Sequence, residues 1–273
     1  LVMGGLMAPA LVWANFSTAW AACLQAVPKI DYFKLFEATG CTGQFSTMGE
    51  TARDAKVAAL AAVLLGHEVV ALRVSVHLAD HAEFSPATRR LTGSRRRRSK
   101  RQKRIDYVEA TAANPYFQAY VSFILGACYD LWEFGLREQF DFIADEHPSL
   151  GARTAAWYPV VKSLAFTPMR SIMPAAPVQR DDETFLPLQA ADMIAGLERL
   201  ALEGKQDFAW LRERLTAIRS ASRCVCIDRA WFLRTAAITK SLDLQPTLES
   251  MIELARLQGA PIPGPDDQGK PNA

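Results

Sequence analysis

A chain of 273 residues, half of them hydrophobic and 22% charged, has globular composition and is long enough to bury a sizeable core. Five cysteines, at 23, 41, 128, 224 and 226, form an odd, unpatterned set, which argues against a disulfide framework and for a reducing compartment, read here as the cytoplasm. The net charge of +2 is unevenly spread: residues 89–104 hold ten basic residues and no acid, and the remainder carries 21 basic against 29 acidic residues, a net of −8.

Taken in chain order, the first 28 residues carry no charge, which raises a signal peptide or a membrane span. Against both stand the lack of a basic stretch ahead of the apolar run and the interruptions at Pro9, Asn15, Ser17 and Thr18. Trp13, Phe16, Trp20 and Leu24 recur at helical spacing, so a buried strand over 1–8 and an amphipathic helix over about 10–26 are expected, with no membrane partner. Residues 30–36 read as a short strand and 51–66 as an Ala- and Leu-rich helix. From Val70 to Leu78 apolar residues alternate with Arg73, Ser75 and His77, the pattern of a half-buried strand. If that strand includes His77, then His77 and His81 stand about 13 Å apart and cannot share one metal.

The basic run follows. Like charges at this density repel, so the run is expected to be disordered when free, either as a solvated loop or as a phosphate-contacting segment in which Arg95, Arg96, Arg97 and Arg98 bind nucleic acid, DNA or RNA. No aromatic lies inside it to stack on bases. Residues 115–138 read as a long helix whose aromatic stripe is core. Phe140–Ala144 looks like a short buried strand ending in Asp145 and Glu146, followed by His147-Pro148 and a helix over about 149–164. Residues 168–180 read as a Pro-containing strand or loop. A helix over about 188–203 carries Gln189 and Asp192 among small residues and ends at Gly204. Further helices are expected over 206–222 and 228–257, and the Pro- and Gly-rich residues 259–273 should be disordered. Cys224-Val225-Cys226 lacks the second cysteine pair that a zinc site needs.

No Gly-rich phosphate loop and no Gly-x-Ser-x-Gly elbow is present, which weakens nucleotide-cofactor and serine-hydrolase readings. The chemistry rests instead on carboxylates. On a helix, Gln189, Asp192, Gly196 and Arg199 fall along one stripe, and the small neighbours of Asp192 let another element approach closely. An acid there is costly unless a cation or donor meets it. Asp145 and Glu146 stand at a strand end, where α/β sheets commonly build sites, although either acid also suits a helix cap. Strand-end and helix-borne carboxylates, if they converge, make a hard oxygen site suited to Mg²⁺ or Mn²⁺.

These two motifs, with Val2-Met3-Gly4-Gly5-Leu6-Met7-Ala8-Pro9, Asp31-Tyr32-Phe33-Lys34-Leu35-Phe36-Glu37-Ala38 and Arg53-Asp54-Ala55-Lys56, resemble the domain of unknown function 3800 family over roughly residues 1–204. The resemblance is most specific at Pro187-Leu188-Gln189-Ala190-Ala191-Asp192-Met193-Ile194-Ala195-Gly196. It implies an α/β, ribonuclease H-like mixed sheet flanked by helices, and makes Asp145 and Asp192 members of a metal-binding acidic set. Family members usually open with a strand carrying an Asp-Glu-Ser-Gly type motif; this chain begins inside the following Gly-Gly strand, so the first acid of the set is missing from it.

The expected organisation is a domain over 1–204 with a basic insertion at about 86–105, a helical C-terminal extension over 205–258, and a tail over 259–273. The expected function is a metal-dependent nuclease or related phosphoryl-transfer enzyme. Asp145 and Asp192 would hold metal, Glu146 and Glu37 would be further catalytic acids, Lys34 would contact substrate, and Gln189 and Asp182 would support the carboxylates. The alternatives are a nucleic-acid-binding or interaction module without catalysis, or an inactive N-terminally truncated fragment.

Overall fold

The structure is a computed structural model that describes residues 1–84, 111, 114–147, 150–165, 167–174, 176–220 and 225–232. The basic run 89–104, with Arg95–Arg98, lies outside the described residues, as do Cys224 and the segment from 233 onward.

In chain order the elements are β1 (Val2–Met7), α1 (Ala10–Gln25), α2 (Leu35–Gly40), a 3₁₀ turn (Gly43–Phe45), α3 (Glu50–Leu65), β2 (Val70–Val76) and α4 (Leu78–Phe84). Then come α5 (Pro115–Glu133), β3 (Ile143–Asp145), α6 (Gly151–Leu164), α7 (Thr167–Ile172), β4 (Val178–Arg180), α8 (Leu186–Leu202), α9 (Ala209–Leu215), β5 (Arg219–Ser220) and β6 (Val225–Ile227). The protein is mixed α/β, with a small mixed sheet flanked by helices. Among the described residues no helix is long and apolar enough to cross a membrane.

The chain divides into two compact units that interleave in sequence. One comprises residues 2–73 and 180–224; the other comprises Leu1, 74–179 and 225–273.

In the first unit β1 neighbours β2, and β5 lies parallel to β2 on its other side, with Val70 opposite Arg219. The expected stripe on α1 is present: Phe16, Trp20 and Leu24 are buried. They join Val57, Leu60, Ala61 and Leu64 of α3, and Ala190, Met193, Ile194, Leu197 and Leu200 of α8, in one core. Residues 205–220, read as the start of an extension, contribute Phe208, Leu211, Leu215 and Ile218 to this same core. The carboxyl end of α1 is met by a lysine. The Lys56 ammonium, 3% exposed, donates to the carbonyls of Cys23 (2.6 Å), Leu24 (3.2 Å) and Ala26 (2.8 Å). It thereby satisfies acceptors that a helix end leaves open.

In the second unit Leu1 and Val76 exchange both backbone hydrogen bonds, the narrow pair of an antiparallel ladder. The end of β2 pairs in parallel with β6, Val76 opposite Ile227. α5 packs on α6 and α7, burying Tyr120, Ile124, Ala127 and Cys128 along one side. β3 and β4 form a separate two-stranded ribbon.

Four local expectations are corrected. Residues 30–36 are not a strand: Lys34 is extended, and α2 begins at Leu35. His77 lies beyond β2, and His81 N–H donates to the His77 carbonyl at 2.9 Å. The two histidines therefore stand one helical turn apart, not four strand residues apart. The His77 ring pairs with Asp80 at 2.9 Å, while His81 is buried and its pKa is lowered by desolvation. β3 is not a buried strand: Ile143 and Asp145 are exposed. Residues 167–172 are helical, because Pro168 sits in the first turn, where its missing N–H costs nothing.

Candidate functional site

α8 starts on Leu186-Pro187, with the proline in the first turn, and ends where Gly204 turns left-handed at φ +71°. Its small side chains permit close approach from two directions. A Cβ on Gly4 of β1 would come within 2.8–2.9 Å of Ala195 backbone and side-chain atoms, so strand and helix pack backbone to backbone. A Cβ on Gly196 would meet Leu35 Cδ2 at 2.6 Å, so Leu35 occupies the space that a side chain at 196 would take.

The predicted stripe Gln189–Asp192–Gly196 is the face on which residues 33–35 dock. Gln189 is fully buried and all its polar capacity is used. Its Oε1 accepts from Trp20 Nε1 (2.9 Å) and from the Phe33 N–H (3.1 Å), and its Nε2 donates to the carbonyls of Asp182 (2.9 Å) and Glu183 (3.2 Å). One turn on, Asp192 Oδ2 accepts from the Leu35 N–H at 2.8 Å. The extended backbone at 33–35 thus pairs with side chains of a helix in place of a neighbouring strand.

Lys34 points between these two anchors. Its ammonium stands 3.3 Å from Asp182 and 3.5 Å from Glu183 and lies 5.4 Å from the centre of the Tyr32 ring. Burial pulls the Lys34 pKa down, but Asp182 and Glu183 together outweigh it and leave it raised. Asp192 is half-buried, and its pKa is raised, mainly by desolvation. The Leu35 N–H, Lys34 and Arg199 oppose that rise, and the charge of Asp182 adds to it. Glu37 is committed to its own loop: Tyr32 O–H donates to Oε1 (3.0 Å) and the Gln44 N–H to Oε2 (2.8 Å). The hydrogen bond to Glu37 is also the chief reason the Tyr32 pKa is raised.

Lys34, Asp182, Gln189 and Asp192 are therefore brought together, and Glu37 lies close by in chain on α2. Glu183 joins them, unforeseen; its adjacency to Asp182 in an acidic turn was the available signal. Asp145 and Glu146 belong to the other unit, both exposed. There Tyr116 has its pKa raised, first by burial and then by the charge of Asp145. The ring of Tyr116 stands 5.9 Å from that of His147.

Among the described residues no group of three or more His, Cys, Asp or Glu side chains is placed to hold a metal ion. Within the docking cluster Asp182 and Asp192 are the acids of the right chemical type, and Asp182 already faces the Lys34 ammonium. In comparisons with known proteins the chain matches no family model, no characterised sequence and no solved structure.

Proposed function

We propose that this chain is a metal-dependent nuclease, or a related phosphoryl-transfer enzyme, of ribonuclease H-like type acting on nucleic acid. The observation that carries the reading is Asp192. It is a desolvated carboxylate on a helix of small residues, and one backbone N–H is the only hydrogen-bond donor on it among the described residues. A second carboxylate, Asp182, lies near enough to raise its pKa further. Desolvated carboxylates with a like-charged neighbour are common where a bound cation supplies the missing charge. The similarity of the Asp192 segment and of the strand ending at Asp145 to the domain of unknown function 3800 family points the same way.

The described residues fall short of a complete site for Mg²⁺ or Mn²⁺, since two acids in one cluster are fewer than the ligands such an ion takes. The reading requires Asp145, with Glu146 beside it, as the further acid. The expected result is Mg²⁺- or Mn²⁺-dependent cleavage of DNA or RNA that is lost in Asp192→Asn while the fold, read by circular dichroism, is kept. Metal-dependent cleavage that persists in Asp192→Asn would overturn the assignment.

A second reading, a nucleic-acid-binding or interaction module without catalysis, is favoured by one specific observation. Gln189 and Asp192 both hold residues 33–35 in place, so the acid already has structural work. Steeply salt-dependent binding with no cleavage under either metal would select it.

A further inference from the structure

The first unit carries a second concave site, away from the docking stripe of α8. A shallow pocket of about 310 Å³ is lined by Arg73 at the end of that unit's part of β2, Ile194, Leu197 and Glu198 of α8, and Arg212, Leu215 and Thr216 at the end of α9. Its floor is apolar: Ile194, Leu197 and Leu215 are at most 4% exposed. Its rim is cationic. Two guanidiniums face a single carboxylate, and the only ion pair among them, Arg73 Nε to Glu198, is stretched to 4.0 Å. Arg212 is half-buried and has no hydrogen bond or ion pair among the described residues. A guanidinium withdrawn from water with its donors unused is costly, and its planar fork matches the oxygens of a tetrahedral anion. Thr216 adds no free donor, since its hydroxyl donates to the Glu213 carbonyl at 2.6 Å.

We propose that Arg73 and Arg212 form a binding site for a phosphoryl group. A dianionic or diester phosphoryl engages both guanidiniums and leaves Glu198 as the repulsive neighbour that limits affinity. The apolar floor accepts the uncharged part of the ligand, a sugar or base edge in a nucleic acid strand. The site stands on this pocket alone and does not depend on cleavage at Asp192.

The test is isothermal titration of the full chain with inorganic phosphate and, separately, with a short oligothymidylate lacking terminal phosphates. Arg212→Gln and Arg73→Gln should each weaken binding about tenfold, the scale of one charge-assisted contact. Glu198→Gln should tighten it several-fold, a gain that no loss of folding can imitate. Phosphate binding with this pattern assigns the site to a free phosphoryl ligand; the same pattern with oligothymidylate alone assigns it to a strand backbone. Binding of neither probe at millimolar concentration, or binding indifferent to all three substitutions, overturns the proposal.

Discussion

Asp192 is the residue whose ionisation should be visible in the stability of the whole protein. Its folded-state pKa lies above the ordinary 3.8, chiefly because burial disfavours the charged form. The folded state therefore binds the proton more tightly than the unfolded chain does. Below pH 3.8 both states are protonated and the side chain contributes no pH dependence; as pH climbs from 3.8 through the raised pKa, ionisation costs stability. Asparagine keeps an acceptor for the Leu35 N–H but has no proton to lose. The difference in unfolding free energy between Asp192→Asn and the parent, whatever its value at pH 3, should shift in favour of asparagine as pH rises towards 7. Urea unfolding at a series of pH values measures it, and a difference that stays flat or moves the other way would show that the carboxylate is not desolvated. Gln189, by contrast, is uncharged and fully bonded, so its contribution is the same at every pH.

At the scale of elements, α8 is held by two close approaches of different hardness. At Gly4 the obstacle to a Cβ is the backbone of Ala195, which cannot yield without moving the strand off the helix. At Gly196 the nearest atom is the end of the Leu35 side chain, which can rotate. Gly4→Ala should therefore destabilise the protein by about 3 kcal/mol, the upper part of the range for overpacking, and Gly196→Ala by about 1 kcal/mol. Thermal unfolding of the two variants in parallel tests the order, and an equal or larger loss in Gly196→Ala would contradict it.

The same helix explains what the sequence could disclose. The stripe Gln189–Asp192–Gly196 was legible because helical spacing alone puts those residues on one face, and the small neighbours announced a close contact. What would dock there was not legible. Phe33 and Leu35, both buried around an outward Lys34, imitate the alternation of a strand, yet their backbone donors go to side chains 156 and 157 residues away. No local pattern encodes such a partner. The histidines failed for a related reason: the alternation of β2 runs on into His77, although the chain has already turned. That turn depends on Asp80, which meets the His77 ring and also accepts the Arg229 N–H at 2.9 Å. The long helices α1, α3, α5 and α8 were readable because each sustains an apolar face over several turns.

For the whole molecule the governing quantity is the separation of charge along the chain. Outside residues 89–104 the protein carries a net −8, which repels a polyanion, while the run itself carries ten positive charges. Association with nucleic acid is therefore expected to enter through this run, with the Arg73–Arg212 pocket adding one localised contact. Each phosphate neutralised on a duplex releases counterions and contributes about −0.9 to the slope of log affinity against log salt. If the run engages between six and ten phosphates, affinity should fall roughly 10³- to 10⁵-fold between 50 and 200 mM salt. Replacing residues 89–104 with a neutral Gly/Ser segment of equal length should remove most of that slope and leave the carboxylate cluster on α8 untouched. Changing Arg212 alone should lower the slope by about one unit. Fluorescence anisotropy with a labelled duplex across a salt series gives all three slopes. A slope that survives replacement of the run would place the nucleic-acid contact elsewhere on a surface that is otherwise negative, and would remove the electrostatic basis for assigning this protein to nucleic acid.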